Sequence, residues 1–186
     1  MKTIVFCLEE PSAREMLKGV LPRILPGDVT PHYIVFQGKQ DLEKQLVRRL
    51  RGWLRPDTRF VVIRDQDAAN CRKVKSNLVG LCRKAGKPDS LVRVACRELE
   101  SFYLGDLAAV ETGLRLSGLV RKQNSCKFRN PDRLANPVQE INRLTNSKYQ
   151  KIAGSRAIGP HLQLEGNLSK SFCVLITGIK MLIGDN

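Results

Sequence analysis

The chain has 186 residues, 42% of them hydrophobic, and carries 32 Lys and Arg against 18 Asp and Glu, a formal net charge of +14. That length and apolar content suit one compact unit with a real core and exclude a disordered tail, and no window approaches the roughly 20 apolar residues of a membrane span. The basic excess makes a polyanion such as nucleic acid the expected partner, because such a surface attracts phosphate backbones; the alternative is a basic protein with no nucleic-acid role.

Along the chain, short β-like runs alternate with helical patterns. TIVFCL (3–8) predicts a first strand. SARE (12–15) then reads as a capping box, Ser12 capping a helix and Glu15 reaching back, with Met16, Leu17, Val20 and Leu21 at helical spacing and Pro22 bending or ending it. YIVF (33–36) predicts a second strand, and Leu42, Leu46, Val47, Leu50 and Leu54 mark a second helix, with Trp53 at its end expected in the core. FVVI (60–63) is the third strand; Val74, Leu78, Leu81 and Cys82 stripe a third helix that stops at KAGKP (84–88). LVRVA (91–95) is the fourth strand and ELESFYLGDLAAV one further helix.

Strand and helix alternating in this way predict an α/β fold, with a mostly parallel four-stranded central sheet covered by helices on both faces, over residues 1–112. Residues 113–186 read as a basic C-terminal extension packed on that core. Its 115–156 stretch holds ten Lys or Arg against Asp132 and Glu140 and predicts a loop-rich, partly helical lobe. Phe172, Leu175, Ile176 and Ile179 return to helical spacing, so a closing helix capped by Ser169 is expected.

The candidate chemistry lies at the strand ends. Ligands of parallel α/β sheets gather at the carboxyl ends of strands. Asp65 and Asp67 follow the third strand, Glu9 and Glu10 follow the first, and Glu98 and Glu100 follow the fourth. Residues two apart in extended chain point the same way, so the carboxylates of Asp65 and Asp67 can converge. Unpaired carboxylates in one place raise each other's pKa, a conflict that a hard divalent cation with oxygen ligands, Mg²⁺ or Mn²⁺, resolves. The alternative is that Asp65 and Asp67 cap the helix beginning near Ala69 or pair with Arg64 and Arg72.

Phosphate contacts are expected from the basic lobe. In KYQKIAGSR, Lys148, Lys151 and Arg156 offer charge and Tyr149 offers a stacking surface, unless Tyr149 packs on the core. His161 reads either as a phosphate contact or proton shuttle or as a structural histidine. At the start of the closing helix, Ser169, Lys170 and Ser171 combine hydroxyls, a cation and free amides, the arrangement that suits an anion. The alternative is an ordinary capped helix whose lysine faces solvent.

A glutamate ending a first strand in LEEPS (8–12) and a D-x-D ending a third resemble the Toprim domain of topoisomerases, bacterial primases and overcoming-lysogenization-defect nucleases. IRDQDAANC (63–71), RELESFYLGD (97–106), NPVQEINRLTNSKYQKIAGSRAIGPHL (136–162) and NLSKSF (167–172) extend the likeness to a family of small bacterial Toprim-like proteins catalogued as a domain of unknown function. The resemblance implies a Toprim-like core and Mg²⁺-dependent phosphodiester cleavage in DNA or RNA, in a phage-defence setting beside an ABC-type ATPase partner. It places catalytic carboxylates at Glu9, Asp65, Asp67 and Glu100, and with it the turn at Ser169, Lys170 and Ser171 is expected on the same face of the sheet as Asp65 and Asp67, with Lys170 or Arg156 directed at the acids; Glu10 and Glu98 are read as further metal ligands from their own place at the strand ends. It also leaves a noncatalytic module that binds nucleic acid or docks on the ATPase. Glu10 stands where the family has glycine, and Lys170 where it has arginine.

The opening MKTIVFCLEE has too short an apolar run for a secretory signal. Six widely spaced cysteines without a C-x-x-C, and two histidines, argue against zinc and predict reduced thiols in a cytoplasmic protein.

Overall fold

The protein is described by a computed structural model covering residues 2–184. Strands β1 (Lys2–Leu8), β2 (Val29–Val35), β3 (Thr58–Asp65) and β4 (Leu91–Ala95) form one sheet in the order β2-β1-β3-β4, every pair parallel. The register aligns Leu8 with Val35 and Ile63, and Asp65 with Ala95, so the carboxyl ends form one rim. Eight α-helices accompany the sheet among the described residues: α1 (Pro11–Val20), α2 (Lys39–Arg51), α3 (Cys71–Lys84), α4 (Glu100–Leu104), α5 (Leu107–Gly113), α6 (Pro137–Leu144), α7 (Lys151–Ile158) and α8 (Lys170–Gly184). None is long and apolar enough to cross a membrane.

The central strands are apolar at successive positions because both faces are covered. Ile4, Phe6, Leu8, Val61 and Ile63 join one core with α1, α4, α5, α7 and α8, whereas Val5, Cys7, Phe60, Val62 and Val92 join a second with α2 and α3. The period-2 alternation of strand side chains thus divides one apolar sequence between two cores. Because β1 is followed by β2 on one side and β3 pairs on the other, the chain reverses direction across the sheet at β1 and β3. In open α/β sheets that reversal opens a crevice beyond the strand ends.

Several local expectations are corrected. Helix α1 begins at Pro11, a residue suited to the first turn, and the capping box does not form: Ser12 donates to Glu10 (3.2 Å), while Glu15 accepts from Arg14, Lys18 and Arg156. Strand β2 starts four residues before Tyr33, its Pro31 tolerated because β2 lies at the sheet edge. Leu54 lies beyond α2 and is 88% exposed, and Trp53 is only half-buried, its indole N–H donating to Thr58 Oγ1 at 3.1 Å. The single helix expected from Glu98 is two, α4 and α5, parted at Gly105 and Asp106, where Asp106 accepts from the Ala109 amide. All six cysteines are free thiols.

Candidate metal and phosphate site at the strand ends

Glu9 follows β1 directly and is 8% exposed; its Oε2 accepts from the Asp65 amide at 3.0 Å, bridging the ends of β1 and β3. Arg64 approaches the same oxygen only to 3.8 Å and gives its stronger contact, 2.8 Å, to Glu43. Asp65 is the last residue of β3. Glu100, the first residue of α4, is 1% exposed, and its Oε1 accepts from the Tyr149 hydroxyl at 2.8 Å. Its Oε2 is buried with no hydrogen-bond partner among the described residues.

The electrostatics agree with this crowding. Burial, then Glu100, Glu9 and Glu10, push the Asp65 carboxyl well above the usual carboxylate range. Burial also raises Glu9, against the Asp65 amide, and raises Glu100, against the Tyr149 hydroxyl and Lys151. Three acids from three strand ends therefore share one poorly solvated place, where the buried Arg64 stands 3.8 Å from Glu9 but is engaged more closely with Glu43, an arrangement that favours a proton or a divalent ion. Glu9, Glu10, Ser12, Arg64 and Asp65, without Glu100, line a cavity of about 10 Å³ beside them, on the order of one water-sized probe.

Two further acids are held by lysines. Asp67 accepts from Lys39 Nζ at 2.8 Å, and Glu10 accepts from Lys151 Nζ at 3.1 Å. As the side chains stand, no three His, Cys, Asp or Glu residues among those described are arranged to hold a metal. Glu98 is drawn away from the cluster to cap a helix: its Oε2 accepts from the Val138 amide in the first turn of α6, at 2.9 Å. The capping alternative for Asp65 and Asp67 is not what forms either. Asn70 caps α3, accepting from the Arg72 and Lys73 amides, and no ion pair joins Asp65 or Asp67 to Arg64 or Arg72 among the described residues.

Asp67 has φ 55° and Arg97 φ 62°, left-handed conformations uncommon for such residues. They face each other beyond β3 and β4: the Asp67 amide donates to the Arg97 carbonyl at 2.7 Å, and the Arg97 guanidinium reaches the Asp67 carbonyl at 3.4 Å. The paired turns fix the approach of the D-x-D segment to the rim.

The expected phosphate contacts divide. Lys151 stands against Glu10, and Lys148 is exposed between α6 and α7. Arg156 is committed to Glu15 at 2.8 Å, tying α7 to α1, rather than directed at the acids. Tyr149 is 3% exposed and offers no stacking face; it packs 6.0 Å from Tyr103, its role here being to hold Glu100. His161 is exposed in a turn that lies against Met16 and Gly19 of α1, beyond the helix's rim end. Ser169 caps α8 as expected, accepting from the Phe172 amide at 3.2 Å, and the Cys96 amide donates to Ser171 Oγ at 3.3 Å, placing the turn at the end of β4. Its anion position, however, is filled from within: Asp132 accepts from Ser169 Oγ, the Ser171 amide and Ser171 Oγ. Lys170 is exposed and makes no ion pair among the described residues. Lys39 escaped the sequence reading because its acid partner is 28 residues away on another element.

Among solved structures, the C-terminal region of the Burkholderia pseudomallei OLD protein is similar to this chain, with TM-score 0.57, 16% sequence identity, and coverage of 97% of this chain and 96% of that one. At that identity the likeness is one of fold. No curated protein matches the sequence. Residues 8–180 match one family along nearly the whole chain, so the protein belongs to the family described as "Domain of unknown function (DUF4276)".

Proposed function

We propose that the protein is a Toprim-type, Mg²⁺- or Mn²⁺-dependent phosphodiesterase acting on DNA or RNA. The observation that carries this reading is the buried, unpartnered Glu100 Oε2 among the raised carboxylates of Glu9 and Asp65 at the topological reversal of the sheet. The donors are all hard oxygens, which fits those cations. Glu9, Asp65 and Glu100 would hold the ion, with Asp67 and Glu10 completing its shell. A bound ion would supply Lewis-acid polarisation of the scissile phosphate and a lowered pKa for water. The chain's own contribution is positional: the Asp65 amide orients Glu9, the Tyr149 hydroxyl orients Glu100, and Lys39 and Lys151 set positive charge beside the acids for the flanking phosphates.

The test is cleavage of single- and double-stranded DNA and RNA by purified protein with Mg²⁺ or Mn²⁺ after chelator treatment. Asp65→Ala and Asp67→Ala should abolish cleavage while leaving nucleic-acid affinity, measured without divalent ion, intact or slightly higher, because each removes a repulsive charge. Equal cleavage by wild type and both variants would refute the assignment.

A second reading has its own support. Lysines already pair with Asp67 and Glu10, and no three acids stand ready as ligands among the described residues. That suits a noncatalytic module that binds nucleic acid or docks on an ATPase partner, and it predicts binding without cleavage in the same assay.

A further inference from the structure

The five acids at the rim fall into two groups that differ in their counter-charges. Glu9 and Glu100 are buried, and among the described residues the cation in direct pairing distance of these two or Asp65 is Arg64, at 3.8 Å from Glu9 and engaged more closely with Glu43. Asp67 and Glu10 are different: their side chains are 35% and 33% exposed, and each meets one lysine, itself 48% or 45% exposed, from a separate element. Lys39 is the first residue of α2 and Lys151 the first residue of α7. The two helices lie on opposite faces of the sheet, so the lysines close on the rim from its two sides.

Each ammonium stands at a carboxylate of the rim: Lys39 Nζ lies 2.8 Å from Asp67 and Lys151 Nζ 3.1 Å from Glu10. Each ammonium thus occupies part of the field that a divalent cation would meet. Half-exposed pairs of this kind are weak and exchange readily, because solvent screens them and the lysine stem is flexible.

We infer that Lys39 and Lys151 are exchangeable counter-ions of the rim, holding Asp67 and Glu10 while no divalent ion is bound and passing to substrate phosphates when one takes those carboxylates. The inference rests on the proposed cation site and adds a linkage between its two ligands. Metal and lysine compete for the same carboxylates, whereas metal-released lysines favour the polyanion, so metal binding and nucleic-acid binding should strengthen each other. A lysine that is only structural would lack this double effect.

The experiment compares wild type with Lys39→Met, Lys151→Met and the double variant. Two affinities are measured: Mn²⁺ alone, by calorimetry on chelator-stripped protein, and a mixed-sequence oligonucleotide in Ca²⁺ buffer. Removing a lysine is expected to tighten Mn²⁺ binding by about two- to fivefold, the worth of an exposed ion pair. The same substitution should weaken oligonucleotide binding and lower its log–log salt slope by about 1 per lysine. Lys39→Arg and Lys151→Arg keep the charge and should restore wild-type Mn²⁺ affinity, which separates competition from damage to the fold. Mn²⁺ binding to the double variant but not to wild type would also support the exchange, as complete blockade. Wild-type and variant proteins binding Mn²⁺ equally, or the variants more weakly, would overturn the exchange while leaving the cation site standing. Absence of Mn²⁺ binding in every protein would overturn both.

Discussion

Glu100 is the residue on which the site turns. One oxygen is held by Tyr149 and the other is buried without a partner, so the side chain is fixed but only half satisfied. Its anchor depends in turn on Gly154, where a Cβ would lie 2.4 Å from the Tyr149 ring. Tyr149→Phe should cost about 1–3 kcal/mol, because it leaves Glu100 with no donor. Gly154→Ala should mimic it by displacing the ring. Chemical denaturation checks the first cost, and loss of Mg²⁺-dependent cleavage in both variants checks the shared cause; full activity in Gly154→Ala would separate the ring from the site. Glu15 behaves in the opposite sense to the rim acids. Arg156, with Lys18 and Arg14, lowers its pKa from the ordinary 4.5 to about 2. It therefore contributes stability that is present above pH 4.5 and lost as pH falls towards about 2. Glu9, Asp65 and Glu100 are raised, so without metal stability is lost as pH rises from the ordinary carboxylate range up through their raised values. Acid unfolding of Glu15→Gln should match wild type near pH 2 and diverge from it above pH 4.5.

At the scale of elements, the parallel sheet was readable because its strands are short apolar runs between helical stripes, and β4 spans the residues LVRVA predicted for it. Boundaries failed where one residue outweighed the pattern. Pro11 started α1 before the Ser12 box, Pro31 concealed the first half of β2, and Gly105 and Asp106 divided the helix after β4. The acids at three strand ends were legible from the same periodicity, but their partners were not. Glu98 serves α6, Asp132 fills the mouth of α8, and Lys39 reaches Asp67, each across a separation in sequence that spacing does not encode. The cap of α3 is a clean test of the revised assignment. Asn70→Ala should destabilise by about 1 kcal/mol, measured by denaturant midpoint, and leave metal binding untouched. Coupled loss of both would return the capping role to the D-x-D segment.

For the molecule as a whole, two cores fix the sheet, and the reversal between β1 and β3 sets Glu9 and Asp65 side by side at its carboxyl rim. The segment after β4 completes the place from above: α4 brings Glu100, and Tyr149 and Lys151 of the basic portion reach its two sides. Such crowding is unfavourable for the protein alone, and on the proposed reading a cation relieves it, so stability and ligand binding would be two readings of one property. Thermal unfolding near neutral pH, with and without Mn²⁺, for wild type and Asp65→Asn measures it. Mn²⁺ should raise the wild-type midpoint. Asp65→Asn should raise the metal-free midpoint by roughly 2–4 °C, the shift that about 1 kcal/mol produces in a domain of this size, and abolish the Mn²⁺ increment. A wild-type midpoint indifferent to Mn²⁺, or an equal increment in the variant, would contradict the assignment of the rim as a cation site.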